Sequence, residues 1–205
     1  MLSLINLGFK YVMDTSARFK IDESHALKHS MEVYEFAKRI YESEVGGSPY
    51  LNKQIKIIYM AAIGHDMCDK KYVADEAEGI EMYKNHLKEN MDPGDLDTMG
   101  KIIGTMSYSK VKVSGYPNLG EYQLAYHIVR EADLLAAYDI DRCVIYSMYK
   151  EQLEYGAALK TALDLFDSRV FRMRHERLFR LKYSQAESLK LHKKAFLRIS
   201  TFSRN

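Results

Sequence analysis

His65 and Asp66 stand side by side in the run Ala61-Ala-Ile-Gly-His65-Asp66-Met-Cys-Asp69, and His29 upstream and Asp133 downstream complete a set of two imidazoles and two carboxylates. A chain with seven His produces a His-Asp pair by chance often enough that the dipeptide alone carries little weight. The four residues together are a mixed nitrogen and oxygen donor set that suits Mn, Fe, Co, Ni or Zn better than Ca, and Mn better than Mg. Four protein ligands about a six-coordinate ion leave two positions, for water and for a substrate oxygen, which is the arrangement of metal-assisted hydrolysis. The expected cofactor is therefore one divalent ion, with Mn first and Mg, Fe, Co, Ni or Zn as alternatives.

The elements that must position these groups follow from apolar periodicity. Over 24–42, His29 shares a helical stripe with Val33, Phe36, Ala37 and Ile40, so it points inward. Over 53–69, Ile55, Ile58, Ala62, His65, Asp66 and Asp69 fall on one face. A third helix, about 121–138, sets Asp133 in line with Ala125, Val129, Ala136 and Ala137. Three inward-facing stripes that each carry a polar group need a shared partner, because an unpaired carboxylate in a core is expensive. A divalent cation at their centre supplies one.

Two neighbours extend the chemistry. Asp69, read as one helical turn beyond Asp66, is placed to orient or deprotonate a water or to hydrogen-bond a ligating histidine; its bland reading is a solvated helix end. Lys71 would meet phosphate as a point charge. Cys68 lies near the pair in sequence and is left out of the ligand set. Met60, Met99, Met106 and Met31 read as core and core-edge packing.

The segments Asp22-Glu-Ser-His25-Ala-Leu-Lys-His29, His65-Asp66-Met-Cys-Asp69-Lys-Lys71-Tyr72, Met106-Ser107-Tyr108-Ser109 and Glu131-Ala-Asp133 resemble the HD-domain metal-dependent phosphohydrolases of the YedJ and YpgQ type over about residues 20–145. The resemblance implies an all-α HD-domain bundle with one metal on His29, His65, Asp66 and Asp133. For one branch it implies hydrolysis of deoxynucleoside triphosphates to the monophosphate and pyrophosphate. It matches His25 to the family's first histidine, Asp69 and Lys71 to its acid and lysine, and Ser107 and Ser109 to its serine-containing loop. His25, Lys71, Ser107 and Ser109 are thus expected to contact substrate, with Asp69 and Lys71 catalytic; the two serines also read simply as loop residues at a helix end. The chain departs from the pattern at Ala26, Glu32, Leu134 and Ala136, where the family usually carries Asp, Arg, Arg and Asp.

Composition fits an ordinary globular protein: 205 residues, 47% hydrophobic, 28% charged, net charge +2. No apolar run approaches the ~20 residues of a membrane span, and the N-terminus lacks a signal peptide's basic start and long apolar centre, so a cytoplasmic setting with no membrane partner is expected. Two cysteines do not suggest a disulfide framework. Turn residues at Gly46-Gly47-Ser48-Pro49, Asp92-Pro93-Gly94 and Ser114-Gly115 cut the chain into helices. The expected organisation is a hydrolase domain over 1–160 and a basic helical extension over 161–205, packed on the domain or on a second subunit of a homodimer. Within 168–205, eleven Lys or Arg stand against Glu176 and Glu187. Arg169, Arg172, Arg174, Arg177 and Arg180 with His175 suit nucleic-acid phosphates. The favoured reading is an amphipathic helical hairpin, because Phe171, Leu178, Leu181, Leu189, Phe196 and Ile199 recur at helical intervals. The functional expectation is a metal-dependent phosphohydrolase acting on a nucleotide. The alternatives are a phosphomonoesterase or phosphodiesterase on the same metal, or a non-catalytic scaffold binding nucleic acid through its tail.

Overall fold

The computed structural model describes residues 1–73 and 75–202. The chain is all-α, with ten α-helices and no β-strand among the described residues. They are α1 (Leu2–Phe19), α2 (Leu27–Glu44), α3 (Ile55–Gly64), α4 (Glu76–Leu87), α5 (Pro93–Thr105), α6 (Tyr108–Ser114), α7 (Gln123–Ala136), α8 (Ile140–Tyr149), α9 (Tyr155–Ser168) and α10 (Lys182–Phe202). The expected breaks fall where the turn residues stand: Pro93 takes the first turn of α5, and Gly115, at φ 74°, ends α6 in a conformation that favours glycine.

Helix α3 is the axis of the bundle. Every residue from Ile57 to Gly64 is buried, as an apolar helix surrounded by others requires. Around it pack α1, α2, α5 and α7, and α2 also lies along α7. The stripe read for α2 is the observed one, with His29, Val33, Phe36, Ala37 and Ile40 all buried. Met60, Met99 and Met106 are core residues, whereas Met31, two positions past His29, is 52% exposed.

The C-terminal third departs from the expected outline. Position 160 falls within α9, and a single hydrophobic cluster runs from Leu4 through Phe166, Val170, Met173 and Phe179 to Ala195. No helical hairpin forms among the described residues: 169–181 is a 3-10 turn at Val170–Arg172 followed by turns, and only α10 is a long helix. Its inward stripe is Ser184, Ser188, Leu191, Ala195 and Ile199, while Leu189 and Phe196 face out at 42% and 57% exposure. The periodicity selected the larger residues. Small side chains on the other face let α10 lie close against α7 and α2.

Candidate functional site

The site forms where α2, the end of α3 and α7 meet. The helix expected through residue 69 is α-helical only to Gly64; His65–Cys68 then winds more tightly as a 3-10 turn, and Asp69 turns to extended backbone at ψ 131°. Gly64 marks this change because the ring of Tyr83 lies against its Cα, and no side chain fits there. The tighter turn presents His65 and Asp66 together toward α2 and α7.

The donor atoms converge. His29 Nε2 stands 3.1 Å from Asp66 Oδ2 and 3.5 Å from Asp133 Oδ1. His65 Nε2 stands 3.4 Å from Asp66 Oδ2, 3.6 Å from Asp133 Oδ1 and 3.3 Å from His29 Nε2. Ligands held at about 2.1 Å from one ion are about 3.0 Å apart at right angles and about 3.4 Å apart in a tetrahedron, so these separations suit a shared cation. Among the described residues His29, His65 and Asp133 form a mutually close three-donor group; Asp66 lies outside that group and, of its members, approaches the two histidines only. His65 Nδ1 lies 2.9 Å from the Ala62 carbonyl, and a proton there leaves the Nε2 lone pair for the cluster. His29 Nδ1 is buried with no partner among the described residues.

The electrostatics match a cation-binding set. Burial works against a charged His65, yet Asp66 and Asp133 outweigh it and push the ring up to about 10. Burial likewise works against ionised Asp66 and Asp133, but the histidines around them hold both carboxyls well below the usual range.

The other expected residues are arranged unequally. His25 lies one turn before His29, 6.2 Å away between ring centroids, with Nδ1 at 2.6 Å from Ser24 Oγ and 2.9 Å from the Tyr72 hydroxyl. Burial, reinforced by Arg142 and Lys71 against the pull of Asp66, lowers it to about 4, so it is a neutral ring at pH 7. Asp69 is not hydrogen-bonded to the cluster. Its carboxylate accepts the Lys71 backbone N–H at 2.9 Å and pairs with Lys71 Nζ at 3.4 Å, because the chain leaves the helix before completing the turn that would align it with Asp66. Lys71 Nζ lies 5.8 Å from the ring centre of Tyr146. Ser107 caps α6 by accepting the Lys110 N–H, and its hydroxyl lies 3.4 Å from that of Ser109. Ala26, Leu134 and Ala136, three of the departures, are buried in the core, and Glu32 lines a shallow groove opening on His29 with Glu23, Lys28, Asp139, Arg142 and Ile145.

Arg142 escaped the sequence reading. From α8 it brings Nη2 to 3.5 Å from Asp66 Oδ2 and Nη1 to 4.0 Å from Asp133 Oδ1, with Nε donating to the Ser24 carbonyl. It lies on α8, outside the segments that carry the histidines and aspartates, and nothing in its own sequence surroundings pointed to it.

No family model matches the chain, and no curated protein matches it in sequence. Among solved structures it is similar to a Lactobacillus plantarum protein determined as a structural-genomics target, with a TM-score of 0.68 and 18% identity over 100% of this chain and 99% of that one. That likeness supports the all-α fold across the full length.

Proposed function

We propose that this chain is a divalent-metal-dependent phosphohydrolase of HD-domain type, acting on a nucleotide or another small phosphate ester. The observation that carries the reading is the approach of both histidine Nε2 atoms, at 3.1 to 3.6 Å, to one carboxylate oxygen of Asp66 and one of Asp133. These four residues would hold the ion, which when bound supplies Lewis-acid polarisation and a water of lowered pKa. His25, uncharged at pH 7, offers a hydrogen bond beside the cluster without adding a charge to it. Lys71 stands near the His25 face, where its charge favours an anionic substrate. Burial of the histidines and half-burial of the carboxylates limit water around the reacting group, which strengthens each of these interactions. No helix among the described residues is long and apolar enough to cross a membrane.

The test is metal analysis of the purified protein with a nucleotide screen in Mn, Mg, Co and Ni that reads orthophosphate and pyrophosphate separately. Pyrophosphate release that disappears in Asp66→Ala supports a nucleotide pyrophosphohydrolase, and orthophosphate release supports a phosphomonoesterase. Bound metal without turnover of any phosphate ester would overturn the catalytic reading.

A further inference from the structure

Arg142 reaches the cluster from α8 with donors to spare, and Arg169 closes α9, the helix packed against α8. Arg142 is anchored through Nε on the Ser24 carbonyl, but its ends stand 3.5 Å from Asp66 and 4.0 Å from Asp133. A charge-assisted hydrogen bond is about 2.7–2.9 Å long, so these contacts steer the guanidinium without saturating it. Its side chain, 16% exposed, also lines the groove that opens on His29.

Arg169 stands at the end of α9. Its Nε is buried without a partner, and among the described residues its guanidinium makes no ion pair and no hydrogen bond. Its guanidinium carbon sits 4.1 Å from the Tyr108 ring centre, a contact that holds it while using none of its N–H donors. Asp133 and Arg142 are both among the charges that act on it. A half-buried arginine with idle donors, beside a second arginine, is costly unless an anion joins them.

We propose that Arg142 and Arg169 are the oxyanion-holding side of this site, taking the non-bridging oxygens of a substrate phosphoryl group, with Arg142 swinging from Asp66 to the ligand. The proposal rests on the phosphohydrolase reading above. A divalent cation among the four ligands would neutralise Asp66 and Asp133, and the positive charge of the two arginines, both of which interact with Asp133, would then be uncompensated. The forked geometry of guanidinium matches two phosphoryl oxygens at once, which a lysine does not reproduce. Cation and oxyanion should therefore bind with mutual enhancement, and Arg142 should carry that coupling.

The experiment is calorimetry on the full chain with methylenediphosphonate, a pyrophosphate analogue with no hydrolysable bridge, run with and without Mn, beside a separate Mn titration. Arg142→Gln and Arg169→Gln should each weaken the diphosphonate by about tenfold or more, the value of a lost charged hydrogen bond, while Mn affinity stays within about threefold. Arg142→Gln should also abolish the Mn enhancement. Circular dichroism confirms folding, and Arg169→Lys, which keeps charge but loses the fork and the stacked plane, is the fallback should Arg169→Gln not fold; it too should bind the analogue more weakly. Wild-type diphosphonate affinity in folded variants at both positions would overturn the proposal. A wild-type protein that takes up no Mn would overturn the metal reading instead, and the metal-free titration would still decide whether the arginines hold the oxyanion.

Discussion

Gly64 and Tyr83 are packed so closely that a Cβ on Gly64 would stand 2.2 Å from Tyr83 Cε1. Tyr83 is fully buried and donates its hydroxyl to the Met60 carbonyl at 3.0 Å, so the ring has nowhere to retreat. Gly64→Ala should therefore destabilise the fold by at least about 1–3 kcal/mol and disturb the adjoining His65 turn. A denaturant midpoint equal to wild type would show that α4 yields more readily than this packing implies.

The cluster and its sequence neighbours should separate cleanly in metal binding. His29→Ala or Asp133→Ala should lower Mn affinity by more than about 100-fold, because each removes a donor. Asp69→Asn should change it by less than about threefold, since Asp69 is turned to Lys71. Calorimetric Mn titration reads both; an Asp69→Asn loss as large as that of Asp133→Ala would place Asp69 among the ligands.

Metal uptake should expel a proton. Asp66 and Asp133 hold His65 protonated up to about pH 10, so a proton and a cation compete for the same nitrogen. Mn affinity should rise by up to about tenfold per pH unit from pH 6.5 toward 10, and the heat of binding should vary with the ionisation enthalpy of the buffer. Heats identical across buffers would remove His65 from the donor set.

Acid should weaken the fold before the carboxylates titrate. Burial, with Arg180 and Arg130 nearby, lowers His127 to about 4 from an ordinary 6.5. A histidine depressed in the folded state contributes stability that is whole above pH 6.5 and is lost as pH falls toward 4, by about 2–3 kcal/mol. Asp66 and Asp133, depressed in their turn, lose theirs only at lower pH. Urea melts at pH 7 and 4.5 should differ less in His127→Gln than in wild type; equal differences would assign the acid sensitivity elsewhere.

Glu131 is fully buried and accepts the backbone N–H groups of Arg180 and Leu181 at 3.0 and 3.1 Å. Glu131→Ala leaves both donors unpaired and should loosen the C-terminal segment by about 2–4 kcal/mol. Hydrogen exchange should then quicken at 178–202 relative to α3, and uniform protection would show that α10 docks through its small-residue stripe alone.

The sequence was most readable where a residue's role follows from its own helix. His29 and Asp133 declare themselves because inward-facing polar groups interrupt regular apolar stripes. Asp69 was misaligned for a reason of local geometry: an α-helix carries residues 66 and 69 around one face, whereas the 3-10 turn ends at Cys68 and releases the next residue. Arg142 was beyond reach for a different reason, and Arg169 stood out only as one of several basic residues suited to the phosphates of a nucleic acid. Each belongs to a segment with no periodic signal toward the site, and only the packing of α8 and α9 on one another brings them near Asp133. In α10 periodicity picked Leu189 and Phe196, and the closeness of approach to α7 favoured Ser184, Ser188 and Ala195.

Helix α7 holds Asp133 in the cluster and, two residues earlier, grips the chain at Arg180 and Leu181 through Glu131. During vectorial synthesis His29, His65 and Asp66 emerge long before that grip has anything to hold. Until residue 181 is available, Glu131 is a carboxylate without its two donors, and α7 lacks the closure that fixes its angle. The histidine and aspartate cluster is thus a late product of folding: three of its groups are early in the chain, but the helix that carries the fourth is locked by a segment much further along.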